Sequence, residues 1–150
     1  MKRITLLGLQ VIISLCLHAQ NGSSRNSKSN GEIRSVIDQY SLARENKDTV
    51  LLKSILTEDI DQLVSSGEWR VGIRPAVQGM LRSSQNSSGA RSIVIDKIRF
   101  VNNQCAIADA RYEVQNQDGS ARKMWSTFIV VYSKSKWKIS AIRNMLPAAP

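Results

Sequence analysis

Apolar and polar residues follow one period before about residue 90 and another after it. From Gly31 onward the apolar residues recur every three or four positions, at Ile33, Val36, Ile37, Tyr40 and Ala43. This spacing predicts an amphipathic helix. Its polar side carries Glu32, Arg34, Asp38 and Arg44. The segment Thr49–Leu56 predicts a second, short helix. A third runs to about Ser84 with Pro75 in its first turn, where proline is tolerated.

Beyond residue 90 apolar and polar residues alternate with the period of two that is typical of β-strands. The predicted strands are Ser92–Val101, Gln104–Gln115, Ala121–Tyr132 and Lys136–Leu146. Short polar segments between them are typical of hairpin connections. The stretch Asp59–Gly72 is predicted to be irregular, with two short strands around Ser65-Ser66-Gly67. Three helices followed by an antiparallel meander predict an α+β fold, with the helices packed on one face of a curved sheet.

The first 30 residues have a different character. A positive start, an apolar run from Ile4 to Leu17 and a small residue at Ala19 predict a signal peptide over residues 1–19. The run is too short to span a bilayer comfortably, so we expect export to the periplasm or the medium and no stable membrane insertion after cleavage. A lipoprotein acylated at Cys16 is the minor alternative. Residues 20–30 contain no apolar residue, which predicts a flexible linker. The folded domain then covers residues 31–150.

The composition adds a charge imbalance. The 150 residues contain 21 Lys and Arg against 12 Asp and Glu, a net charge of +9. Their number favours one domain. Most of the positive excess lies in residues 69–150. The aromatic residues are not interleaved with basic ones as a base-stacking surface would require, so we expect a solvated basic face and no nucleic-acid partner.

Few residues remain for metal or nucleophilic chemistry. The single histidine, His18, and one of two cysteines lie in the predicted signal peptide. The mature chain would therefore have no imidazole and only Cys105, which excludes a histidine zinc site, a Ser-His-Asp triad and an intramolecular disulfide. The acidic group Glu58, Asp59 and Asp61 lacks the ligand spacing of a calcium loop. We expect neither a metal nor a cofactor.

Several short motifs, taken in order, resemble the nuclear transport factor 2-like superfamily, and more narrowly its SnoaL-like domains. They are Ile33-x-x-Val36-Ile37-x-x-Tyr40, Lys47-Asp48, Leu56-Thr57-Glu58-Asp59, Gly67-Glu68-Trp69-Arg70, Gly72 and the closing strand Trp137–Arg143. The resemblance implies a cone-shaped fold with a pocket open at one end, and a homodimer formed through the outer face of the sheet. Members of the superfamily include isomerases, cyclases, dehydratases and binding domains, so the fold alone does not define the function.

The favoured hypothesis is binding of a small, largely apolar molecule inside the cone. Tyr40, Trp69, Trp125 and Met145 are the predicted apolar lining, because aromatic side chains with one polar end suit both pockets and cores. Arg143 is the predicted polar contributor. If the register of the last strand differs by one residue, Asn144 points inward in place of Arg143.

Two alternatives compete with simple ligand binding. In the first, Asp109 abstracts a proton and Arg111 holds an anionic group, provided that their side of the strand faces the pocket. Otherwise this pair lies on the solvated face and contributes little. In the second alternative, side chains fill the interior and the domain only binds a partner protein.

Overall fold

The computed structural model describes residues 26–85, 90–115 and 118–148. The chain divides into two compact units, residues 1–32 and 33–150. The predicted signal peptide, with Cys16, lies outside the described residues and stays a prediction. Residues 26–30 are helical, and they belong to the segment 20–30 that we expected to be a flexible linker. Polar side chains are compatible with a solvated helical turn, and Lys28 and Glu32 form an i,i+4 pair there at 3.9 Å.

The three helices occur where the apolar spacing predicted them. Helix α1 comprises residues 26–45, α2 comprises Thr49–Ile55 and α3 comprises Ile73–Gln85. The side chain of Asp48 caps α2 by accepting hydrogen bonds from the backbone N–H groups of Val50 and Leu51, both at 2.9 Å.

Six strands form one mixed, mostly antiparallel sheet. They are β1 (Leu56–Leu63), β2 (Trp69–Val71), β3 (Arg91–Asn102), β4 (Cys105–Gln115), β5 (Ala121–Ser133) and β6 (Lys136–Met145). Their order is β2-β1-β6-β5-β4-β3. Strands β3 to β6 form the predicted antiparallel meander. Bulges in the β3–β4 and β5–β6 ladders bend it.

The stretch that we expected to be irregular supplies the two remaining strands. Strand β1 pairs antiparallel with β2 and parallel with β6. The register of β1 against β6 shifts between Leu56 and Asp61, which interrupts the alternation that would have predicted one long strand. The predicted turn around Ser65-Ser66-Gly67 connects β1 to β2, and Gly67 adopts the left-handed φ of +90° that this turn requires.

The core lies between the helices and one face of the sheet, which we call the inner face. Tyr40 of α1 is 2% exposed, and its ring meets that of Phe128 edge to face at a centroid distance of 5.6 Å. Ala106, Ala108 and Ala110 of β4 are buried in the same cluster. These residues alternate along the strand, so they share one face, and their small side chains let the helix lie close to the sheet.

The β5–β6 turn offers a direct test of backbone strain. Lys134 and Ser135 both have positive φ, +50° and +65°, as the type I′ turn of a two-residue hairpin demands. Because glycine adopts this region without the penalty that other residues incur, we expect Ser135→Gly to raise the free energy of unfolding by about 1 kcal/mol. Urea denaturation measures it. The control Ser133→Gly, at the end of β5, should give no gain, and equal gains would contradict the explanation.

Candidate functional site

Most of the predicted site residues lie on the outer face of the sheet, opposite the helices. The cross-strand register aligns Val94, Arg111, Trp125 and Met145 in one row across β3, β4, β5 and β6. All four side chains are exposed. Trp125 lines an open groove of about 220 Å³ on this side. Trp125 and Met145 are therefore neighbours. They lie on the outer face, however, and do not line the interior of the cone, where we expected them.

The catalytic role of Asp109 required that its side of β4 face the pocket, and that side faces outward instead. Asp109 is exposed on the outer face, where its Oδ1 accepts a hydrogen bond of 2.7 Å from the hydroxyl of Thr127. Arg111 pairs with Asp96, its Nη2 and Nε lying 2.8 and 3.0 Å from the two carboxylate oxygens. The alternation of β4 is the physical reason, because it turns Ala108 and Ala110 inward and so places these two charges in solvent.

Arg143 and Trp69 meet at the β1–β6 side of the same outer face. The guanidinium of Arg143 binds both carboxylate oxygens of Asp61 at 2.9 Å. Its Cζ lies 4.8 Å from the centroid of a Trp69 ring, a cation–π contact. Asn144 is the residue that points inward, where its Oδ1 accepts a hydrogen bond of 2.7 Å from Ser126. Of the predicted ligand-binding residues, Tyr40 alone lies on the inner side.

A different cavity opens on the inner face. Its volume is about 60 Å³, and it is bordered by the β1–β2 turn, the end of α3 and one end of strands β3 to β5. Its lining residues are Arg44, Gln62, Val64, Ser65, Arg70, Ser83, Arg91, Tyr112, Val114, Arg122, Met124 and Asn144. Four of these are arginines, and none of the described lining residues is acidic. The cavity is therefore strongly electropositive.

Arg44 is the most deeply buried of these arginines that no acidic group neutralises. Its side chain lies on the same face of α1 as Tyr40, and its Nη1 donates a 3.1 Å hydrogen bond to the Tyr40 hydroxyl. Its Cζ lies 5.4 and 5.6 Å from the ring centroids of Tyr40 and Tyr112. Within the described residues its buried Nε has no hydrogen-bond partner and no carboxylate pairs with the guanidinium.

The charge of Arg44 persists despite its burial. Desolvation lowers the pKa of this guanidinium, but electrostatic attraction to Tyr40 and Tyr112 and hydrogen bonds from the guanidinium to them raise it by more, so that it lies above its ordinary value. Burial likewise raises the pKa of Tyr40, although Arg44 opposes the shift. The tyrosine hydroxyl therefore stays neutral at physiological pH, and one positive charge remains buried.

Arg70 is held in place by its own neighbours. Its Nε and Nη2 each bind a carboxylate oxygen of Glu68 at 3.0 Å, and Nη1 donates to Gln62 at 3.3 Å. The guanidinium lies against Gly79 of α3, where a Cβ atom would overlap it. Because its charge is balanced by Glu68, Arg70 acts as part of the cavity wall.

The remaining two arginines flank the mouth of the cavity. Arg91 of β3 and Arg122 of β5 both oppose Val114 of β4 in the register. Arg91 donates a 3.1 Å hydrogen bond to the carbonyl of Ser83, and Arg122 donates one of 2.7 Å to the hydroxyl of Ser65. These contacts attach both arginines to the opposite wall, formed by α3 and the β1–β2 turn.

None of these arginines was predicted to line a site, and Arg44 was predicted on the polar face of the first helix. One signal was present: Arg44 follows Ile37 by seven residues and Tyr40 by four, which is the spacing of a shared helix face. For Arg91 and Arg122 no such signal exists, because their proximity depends on the pairing of three strands.

Neither a metal-ligand cluster nor a membrane-spanning helix occurs in the part of the chain that the structure describes. No group of three or more His, Cys, Asp or Glu side chains there could hold a metal ion. No helix there combines the length and the apolar character needed to cross a membrane.

Comparison with solved structures shows a nuclear transport factor 2-like (NTF2-like) fold. An NTF2-like protein from Novosphingobium aromaticivorans is 15% identical, with 100% of this chain and 94% of that chain covered and a TM-score of 0.69. An NTF2-like protein of unknown function from Shewanella oneidensis is 16% identical, with 78% and 98% covered and a TM-score of 0.67. A cystatin-like domain of unknown function from Nostoc punctiforme is 17% identical, with 80% and 78% covered and a TM-score of 0.71.

At these identities the likeness confirms the predicted fold, while the SnoaL-like subgroup stays a prediction. No protein-family model matches the sequence, and no curated protein matches it either.

Two helical glycines give a matched test of the cavity wall. Gly79→Ala should lower the free energy of unfolding by about 1–3 kcal/mol, because the new methyl group displaces the Arg70 guanidinium. Gly31→Ala meets nothing within 4 Å, so its better helix propensity should raise the same quantity by up to about 1 kcal/mol. Chemical denaturation measures both. Shifts of the same sign would contradict the contact between Gly79 and Arg70.

Proposed function

We propose that this domain binds a small molecule through an anionic group, which Arg44 holds in the inner cavity. The observation that carries the proposal is the buried guanidinium of Arg44, which no carboxylate of the described residues neutralises. Burying an unpaired charge costs several kcal/mol in a protein interior. A bound anion would offset this free-energy cost, because its negative charge would pair with the guanidinium of Arg44.

The size and lining of the cavity favour an anionic group over the largely apolar ligand that we expected from the sequence. Packed side chains such as Tyr40 and Phe128 occupy the apolar interior. A volume of about 60 Å³ holds roughly four to six water molecules, the space of a carboxylate, sulfate or phosphate group. Pockets for whole drug-sized ligands are several times larger. The rest of a larger ligand would extend through the mouth.

The test compares Arg44→Met with Arg74→Met, an exposed arginine of α3. Thermal unfolding is recorded in low-salt buffer with acetate, sulfate or phosphate added in turn. At ten times its Kd an anion should stabilise the wild type by about 1.4 kcal/mol. We expect Arg74→Met to behave as the wild type does. Arg44→Met should lose this response and, without added anion, unfold at a higher temperature, because the uncompensated charge is gone.

The difference between the two variants is the decisive quantity, because sulfate and phosphate also stabilise proteins non-specifically. An equal response in Arg44→Met and Arg74→Met would contradict the proposal. So would a wild type that does not respond beyond Arg44→Met.

We also propose that two copies of the chain associate through the outer face. Trp125 and Met145 are direct cross-strand neighbours whose apolar side chains are exposed, next to the groove of about 220 Å³. Val94 is exposed in the same row, on the other side of Arg111. Contiguous exposed apolar surface of this kind is typical of association sites, and a two-fold dimer buries the same patch on both subunits. A second copy is also the occupant that the resemblance to the superfamily implies.

Light scattering after size-exclusion chromatography tests the dimer. The wild type should have twice the mass of the chain, and Trp125→Glu should have the mass of one chain, because the new carboxylate would be buried at the interface. Val50→Glu is the control, since Val50 is 77% exposed on α2, and it should remain dimeric. A monomeric wild type, or a dimeric Trp125→Glu, would rule out this interface.

A further inference from the structure

We propose that the ligand of the inner cavity carries two anionic groups, with one bound by Arg44 and the other by Arg91 and Arg122 at the mouth. The inference rests on the proposed function and adds the class of ligand: a short dicarboxylate, or a molecule with two anionic groups at a similar separation.

The register places the two cationic positions one behind the other. On the inner face, Tyr112 and Met124 form one cross-strand pair, and Arg91, Val114 and Arg122 form the next row along the strands. Arg44 lies against Tyr112. Alternate residues of a strand are about 7 Å apart. A molecule reaching from Arg44 to the mouth would therefore place its two anionic groups a few bond lengths apart.

The charge balance favours a second negative group. Glu68 neutralises Arg70. Arg44 and Arg122 form no ion pair with a carboxylate of the described residues, and the side-chain contact of Arg122 is the neutral hydroxyl of Ser65. One negative charge at Arg44 would leave the charge of Arg122 unbalanced, and a dianion balances both.

The mouth arginines are also separated in a way that suits a bound anion. Arg91 and Arg122 lie on strands β3 and β5, with Val114 of β4 between them, so their backbones are about 10 Å apart. Arginine side chains are long enough to converge across that distance on one carboxylate. Guanidinium groups bind carboxylates with two parallel hydrogen bonds, which makes arginine well suited to this task.

Isothermal titration calorimetry at low salt tests the inference with matched probes, succinate against butanoate and glutarate against pentanoate. For the wild type we expect the better dicarboxylate to bind at least tenfold more tightly than its monocarboxylate partner. Arg122→Gln should reduce this ratio to below threefold and change monocarboxylate binding by less than twofold. Lys123→Gln removes the same charge from the adjacent, outward-facing position, and it should keep the wild-type ratio.

A second pair of variants separates anion binding from a structural role of the mouth arginines. Ser65→Ala removes the hydroxyl partner of Arg122 but keeps the charge, so we expect it to retain at least half of the dicarboxylate preference. If Arg122 only anchors the β1–β2 turn, Ser65→Ala will lose the preference as Arg122→Gln does, and the inference is overturned. Should Arg122→Gln fail to fold, Arg91→Gln replaces it with the same expected loss.

The outcomes for this inference and for the proposed function are distinct. If the wild type binds both members of each probe pair equally well, the second anionic group is wrong and anion binding at Arg44 stands. A preference that survives in both Arg122→Gln and Arg91→Gln also overturns the inference. If the wild type binds none of the four probes, the inference is overturned, and the anion-dependent unfolding of the wild type against Arg44→Met decides whether the proposed function also fails.

Discussion

The buried charge of Arg44 is the constraint on which the site depends. A guanidinium in the interior must be surrounded by groups that tolerate a cation, and two tyrosines provide this through a hydroxyl acceptor and their ring faces. Tyr40 comes from α1 and Tyr112 from β4, so the contacts of this charge join the helix to the sheet. The two tyrosines surround the charge, and no carboxylate of the described residues cancels it.

The rest of the cavity follows the same principle, because Arg70 and Arg122 also have neutral or charge-balancing partners. Glu68 and Gln62 occupy the guanidinium of Arg70, and Gly79 leaves the space in which it lies. The mouth arginines instead contact a serine hydroxyl and a backbone carbonyl. For Arg122 the serine hydroxyl orients the guanidinium without neutralising its charge. The NTF2-like fold supplies the scaffold, while these side chains give it its chemistry.

Much of the fold followed from local patterns. Helix α1 from residue 31 onward and the four long strands were predicted closely, because each has a clear period in its own sequence. Strands β1 and β2 were harder to predict because the register of β1 shifts against β6. Of the residues that line the inner cavity, the sequence indicated Asn144, as the alternative to Arg143. Trp125 and Met145 are apolar residues that the sheet leaves exposed, whereas Arg44 is a charged residue that it buries. From residue type alone, Trp125 and Met145 would be expected in the interior and Arg44 on the surface.

The periodicity of the chain was enough to determine the class of fold, the order of its elements and which residues of each strand share a face. Alternation alone, however, does not say which of the two faces the helices cover. The choice of face depends on pairing between distant strands and on the packing of α1 against the sheet. These contacts turn Asn144 inward and Arg143 outward. They also bring Arg44, Arg91 and Arg122 to one cavity. A difference of one residue in register exchanges the two faces of a strand. The location of the site was therefore decided by tertiary contacts that no local segment of sequence contains.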